Sequence, residues 1–398
     1  MKDDRGPWLV VGASLFAAAN RYKFDRAALE RNCRWLAEHG VDYIRALACV
    51  GAQPYWEGRE VDPKWGDYAA VIDGTTEVAY ANGIRVLWTC FGDAQIMAPS
   101  YGEKERVCDI VADTTVRRRA AVIGIEIANE WWQNGFSGSE GIKQMRALAE
   151  RIRSKVDVPI AISCPVGDGE AAEQANAKAM YEGSVATFST NHYDRAMGED
   201  GWRPARQPWQ QLSYGGVPEG ALNNEPIGIG TPGGNNPTDA DPHRQVSQAI
   251  VSWIATHWGY CLHDRTAGVR CDKDWSDVSN IDAITAGLLA ARNALPSDLP
   301  NWAPQNDHWA GHPFEKVSKW VDGASEGVTR AYAAVDGGRS ICLPMGIKGG
   351  VTMQAKAAMD VDVIDILTGA SLKAGALKAG QTIRLTDDPP VYLVRGNW

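Results

Sequence analysis

Eight times over roughly its first 300 residues, the chain alternates a short apolar run with a longer segment whose apolar residues recur every three or four positions, and few architectures accept that rhythm. Apolar runs of this length, about four to eight residues, read as strands buried on both faces, and the segments between them as helices with one buried stripe. Strands joined through helices run parallel, because the helix carries the chain back to the edge where the next strand starts. The candidate strands lie at 9–11, 43–44, 84–91, 122–129, 160–163, 185–191, 221–224 and 259–263. The helices carry their own punctuation. Asp25 can cap a helix with Leu29, Cys33 and Leu36 on one face and Gly40 at its end. Val71, Thr75, Val78 and Ala79 share a face closed by Gly83, and later stripes run through Ile142, Met145, Leu148 and Ile152, through Val246, Ile250, Trp253 and Ile254, and through Ile281, Ile284 and Leu288. Eight such units make an α/β protein of the (β/α)8 TIM barrel type.

Past a proline-rich stretch at 296–313 the rhythm changes to short alternating runs with glycine-rich turns, as at 361–364 and 382–385. The expected division is therefore a catalytic barrel over 1–312 and a small antiparallel β domain over 313–398.

Composition narrows the partners. Apolar residues make up 44% and charged residues 22% of the chain, the balance of a folded globular protein. The net charge is −9, and the one basic run, Arg117 to Arg119, suits a solvated helix end, so no nucleic acid is expected as partner. No apolar run reaches the length of about 18 residues that crosses a bilayer, so no membrane partner is expected either. Lys2 and Arg5 precede an apolar stretch at 8–19, but Asp3, Asp4 and Pro7 spoil a secretory leader and the stretch supplies the first strand; a cytoplasmic setting is the expectation. The eight cysteines show no CxxC pair, and read as buried free thiols, with Cys261 and Cys271 the one pair placed for a local bridge. Sixteen tryptophans offer flat rings suited to stacking on sugars.

Reacting groups of a barrel gather at the C-terminal ends of its strands. The fourth run ends in Asn129-Glu130-Trp131-Trp132 and the seventh in Asn223-Asn224-Glu225-Pro226, so two carboxylates stand at the mouth. Glycosidic cleavage requires such a pair, one to protonate the leaving oxygen and one to attack or to activate water. Glu126 shares the strand parity of Glu130 and competes for the acid role, although its depth suits a buried ion pair better. Trp56, Trp88, Trp131 and Trp132 follow or lie near strand ends and read either as sugar platforms or as packing, and Asp93 ends the third strand. The loop at 230–242 follows Glu225 and is expected to line the cleft.

These residues resemble glycoside hydrolase clan A over roughly residues 8–312. The resemblance implies Glu130 as general acid/base, Asn129 as a ligand for the sugar 2-hydroxyl, Glu225 as nucleophile, and Arg45 as the cation that keeps Glu225 ionised. Asn191-His192-Tyr193 looks like the clan's His and Tyr on strand six, but here the two are adjacent, which leaves open which of them points inward. Trp258 precedes the eighth strand, where the clan places a platform at the strand's end. The C-terminal segment resembles the small β-sandwich that closes many barrel glycosidases. What the resemblance implies is a retaining double displacement on β-linked glycosides or oligosaccharides, with a carbohydrate as partner and no metal or other cofactor. The rival reading, a barrel that binds carbohydrate without cleaving it, expects one of the two carboxylates to be missing. An aldolase or metal-dependent hydrolase would want a strand-end Lys or a His-x-His cluster, and neither is present.

Overall fold

A computed structural model describes residues 2–3, 6–51, 56–192, 195, 201–202, 204, 218, 220–230, 238–305, 320–324 and 330–398. All eight expected strands form: β1 Val10–Ser14, β2 Tyr43–Leu47, β3 Arg85–Phe91, β4 Val122–Ala128, β5 Ile160–Ala161, β6 Ser189–Asn191, β7 Ala221–Asn223 and β8 His257–Leu262. Every ladder between them is parallel, in the order β5-β4-β3-β2-β1-β8-β7-β6. β5 and β6 are shorter than their apolar runs predict because each is laddered on one side only. Between them the barrel is drawn shut by Thr187 N–H donating to the Ile160 carbonyl at 2.8 Å and by Ile160 N–H donating to Thr187 Oγ1 at 3.2 Å.

The helices obey the sequence's signals. In α1, Arg26–Glu38, the Asp25 carboxylate accepts from Ala28 N–H, while Leu29, Cys33 and Leu36 are buried; Gly40 follows at φ +78°. Gly83, at φ +87°, closes α2, Tyr68–Ala81, in the same way. α3, Tyr101–Arg117, opens with a capping box between Ser100 and Glu103. Apolar side chains of strands and helices merge into one core between the two layers.

Inside the barrel a second apolar cluster, including Val10, Tyr43, Leu87, Phe188 and Leu222, plugs the end from which the strands start. Trp258, expected just before the eighth strand, is instead the second residue of β8 and packs on this plug, its indole stacked on Phe188 with centroids 3.9 Å apart, at the opposite end of the barrel from Glu130 and Glu225. Gly12 makes room for the plug, since a Cβ there would sit 2.1 Å from Cζ of Tyr43.

The C-terminal part holds two antiparallel sheets. One of six strands is entered by Ala303–Pro304 and continues through Arg330–Asp336, Arg339–Met345, Leu393–Asn397, Met359–Ile364 and Ser371–Leu377; one of three strands contains Trp320–Ala324, Val351–Ala355 and Thr382–Leu385. The expected boundary at 312/313 lies outside the described residues. Tyr332, Ile341, Leu343, Ile366 and Leu393 of this part join the barrel's main core, so the two parts share apolar packing. All eight cysteines are free thiols, which settles the Cys261–Cys271 question against a bridge: Cys261 points into the barrel beside Ser14, whereas the Cys271 thiol donates to the Gly268 carbonyl. No helix among the described residues is long and apolar enough to cross a membrane.

Candidate active site

The site is assembled on a buried ion pair. Arg45 of β2, fully buried, donates through Nε at 3.1 Å and Nη2 at 2.8 Å to Glu126 Oε2 of β4. Glu126 also accepts from Thr89 of β3 at 2.6 Å, Thr190 of β6 at 2.5 Å and Asn224 at 3.2 Å. A buried carboxylate met by a guanidinium and by neutral donors on three other strands or strand ends is bound into the framework of the barrel. Glu126 thus lies bonded beneath the mouth, whereas Glu130 lies at the rim near Glu225.

Arg45 reaches upward as well as across. Its Nη1 donates to Glu225 Oε1 at 2.7 Å and its Nη2 to Asn129 Oδ1 at 2.8 Å, so one immobile side chain registers both halves of the site. Burial would raise the Glu225 carboxyl, but His192, Arg45 and Arg195 hold it well below the usual carboxylate range. Glu225 is thus an anion across the neutral and mildly acidic range.

His192 faces inward at the end of β6. Its Nδ1 lies 3.2 Å from Glu130 Oε1 and its Nε2 3.6 Å from Glu225 Oε1. Burial disfavours its charged form, yet the Cys164 sulfur and the flanking Glu225 and Glu130 carboxylates favour it, and the net direction is upward. Tyr193 lies outside the described residues. One atom from each of Glu130, His192 and Glu225 falls within 4.8 Å of the others, so the two candidate carboxylates face each other across the mouth. The trio has the ligand types of a cation site, but two arginines already lie on Glu225, a charge environment poorly matched to a metal ion.

Glu130 sits just past β4 with φ +37°, a left-handed conformation that side chains other than glycine adopt at a cost of about 1 kcal/mol or more. The strain turns its carboxyl off the strand direction toward His192, and Gln133 Nε2 donates to its other oxygen. Asn134 Nδ2 donates to the Asn129 and Glu130 carbonyls and holds this turn.

The remaining expected residues divide. Trp132 is 39% exposed beside Glu130, whereas Trp131 is buried in the main core. Asp93 braces the mouth, its Oδ2 accepting from Gly51 N–H at 2.9 Å, and thereby ties the loops after β2 and β3 together. Trp88 is corrected as a sugar ligand: it is fully buried and points outward from β3, its indole N–H donating to Thr76 Oγ1 of α2 at 3.1 Å. Strand parity contained the signal, because Thr89 faces the interior and its neighbour must face the helices. Trp56 packs on Phe16, whose ring lies 5.1 Å from the Arg45 guanidinium.

Two contributors escape the sequence reading. His263 follows β8, with Nδ1 2.9 Å from Ser14 Oγ of β1, and burial lowers it to about 3, so it stays neutral despite the Glu225 charge. Arg195, four residues past β6, donates to Glu225 Oε2 at 2.9 Å. Nothing in its local sequence distinguishes it from any loop arginine.

No protein-family model matches this sequence, and no curated protein matches it. Solved structures do. A glycoside hydrolase family 5 structure from Bacteroides vulgatus matches with a TM-score of 0.67 at 14% identity, over 100% of this chain and 91% of that one. GH5_18 from Streptomyces cattleya in complex with GlcNAc matches with a TM-score of 0.52 at 12% identity, over 72% of this chain and 81% of that one. GH5_18 from Bifidobacterium longum in complex with Manβ1-4GlcNAc gives 0.51 at 13% identity, over 72% and 79%. At such identities the likeness is one of fold alone: an eight-stranded parallel barrel with a C-terminal antiparallel β domain.

Proposed function

We propose that this chain is a retaining glycoside hydrolase that cleaves β-linked glycosides, with Glu225 as nucleophile and Glu130 as general acid and base. The observation that carries the reading is the approach of Glu130 and Glu225, one oxygen from each within 4.8 Å of the other. Double displacement calls for carboxyl groups about 5 to 5.5 Å apart, whereas an inverting water needs roughly 6.5 to 9.5 Å between them. The sugar-bound structures of like fold support a carbohydrate as the substrate.

Glu225, kept anionic by its cations, attacks the anomeric carbon while Glu130 gives its proton to the departing oxygen. Water then attacks the glycosyl ester, Glu130 takes the water's proton, and the Glu225 carboxylate is restored. Asn129, its amide oxygen engaged by Arg45, has its amide nitrogen to donate to a sugar 2-hydroxyl, a contact that strengthens as the ring acquires oxocarbenium character. His192, between the two carboxylates, offsets their mutual repulsion.

Glu225→Ala and Glu130→Ala, assayed on a panel of aryl β-glycosides, test the proposal. Turnover is expected to fall by about 10³-fold or more in each. Azide is expected to restore activity in the Glu130 variant through a β-glycosyl azide, and in the Glu225 variant through the α anomer. Undiminished turnover in both variants removes the hydrolase, and an inverted first product from the wild type removes the retaining mechanism.

A further inference from the structure

Both oxygens of Glu225 are held by arginines, and the two arginines are not equivalent. Arg45 is fully buried and anchored by Glu126 and Asn129 independently of Glu225. Arg195 is different. Its side chain is 17% exposed, and among the described residues its hydrogen bonds go to Glu225 alone: Nη2 to the carboxylate Oε2 at 2.9 Å and Nε to the main-chain carbonyl at 3.2 Å. One planar guanidinium that grips the main chain and the side chain of the same residue fixes the torsions between them.

We infer that Arg195 is a positioning residue for the proposed nucleophile, a clamp that orients the Glu225 carboxylate in the resting site and loses its ionic partner when the glycosyl ester forms. This rests on the assignment of Glu225 given above. As a Glu225 oxygen bonds to the anomeric carbon, the bond from that carbon to the leaving oxygen breaks and the leaving oxygen takes the proton of Glu130. Glu225 becomes a neutral ester. Arg45 still has Glu126 at that moment, but Arg195 has no other described carboxylate to turn to. Its grip therefore varies through the catalytic cycle, and it favours the step that returns the charge to Glu225. Direct contact with the anion also makes Arg195 part of what keeps Glu225 ionised.

The test uses Arg195→Met, which keeps an apolar stem, and Arg195→Lys, which keeps the charge without the fork. On the best aryl β-glycoside, Arg195→Met is expected to lower kcat by about 10-fold or more with a smaller change in KM, and to move the acid limb of kcat/KM upward by about one pH unit. Arg195→Lys is expected to return the acid limb toward the wild-type position while recovering only part of kcat. A merely structural arginine would leave the acid limb where it was, and that result overturns the inference. A second measurement is independent of turnover: thermal unfolding of Arg195→Met, Glu225→Gln and the double variant at neutral pH. Arg195→Met is expected to lower Tm by about 2–4 °C in the wild type and by less than half of that beside Glu225→Gln, whereas additive losses overturn the pairing. Should the chain hydrolyse no glycoside, the glycosidase reading falls and the thermal cycle still decides whether Arg195 clamps Glu225.

Discussion

At the scale of single residues the site is a chain of charges with one fixed point. Arg45 cannot move, because it is buried and bonded to Glu126, Glu225 and Asn129 at once. Everything above it takes register from that side chain. His263 has no such partner of opposite charge within hydrogen-bonding reach among the described residues, and burial keeps it neutral with its folded value lowered to about 3. The unfolded chain takes up that proton near pH 6.5, the ordinary value for histidine, and the folded chain does not. Stability from this group is thus complete above about pH 6.5 and drains away as the pH falls toward 3. In His263→Gln the slope of unfolding free energy against pH over that window is expected to flatten by up to about 1.4 kcal/mol per pH unit, read from urea titrations at several pH values. Identical slopes in variant and wild type would show that the ring is already charged in the folded protein.

At the scale of elements, what matters is which face of each strand looks inward. β2 sends Tyr43 into the plug and Arg45 into the polar layer above it, two residues on along the same face. β1 answers with Gly12, where a Cβ would come within 2.1 Å of the Tyr43 ring. Gly12→Ala is expected to destabilise the barrel by about 3 kcal/mol, since an aromatic ring inside a filled plug has nowhere to go. Combining it with Tyr43→Leu should cost less than the two changes summed, measured by urea denaturation. Strict additivity would mean that the ring is free to swing aside. The same parity places Trp88 outside the barrel and Glu126 inside it, and at Glu130 the chain leaves strand geometry altogether.

At the scale of the whole molecule, barrel and β domain are joined through a common core and through Arg395, whose Nη1 donates to the Ala294 carbonyl at 3.1 Å. Leu367 closes on Gly287, where a Cβ would lie 2.9 Å from its Cδ2. Packing of that kind couples the two parts, so a single calorimetric transition is expected, and two resolved transitions would show that they unfold separately. The strand count, the helix caps at Asp25 and Gly40, and the positions of Glu130 and Glu225 at strand ends could all be read from the sequence, because each is a local signal of periodicity, turn chemistry or spacing. Which of the tryptophans meets solvent, and that His192 stands between two carboxylates, could not, because those facts depend on the direction of a side chain after the strand has ended. The amino-acid order determined that eight strands must meet around one axis with acids at their rims. Only closure of that ring, bringing residues 95 positions apart within 4.8 Å and turning a loop arginine onto Glu225, decided what those acids can do, since charges act through distance in space and not along the chain.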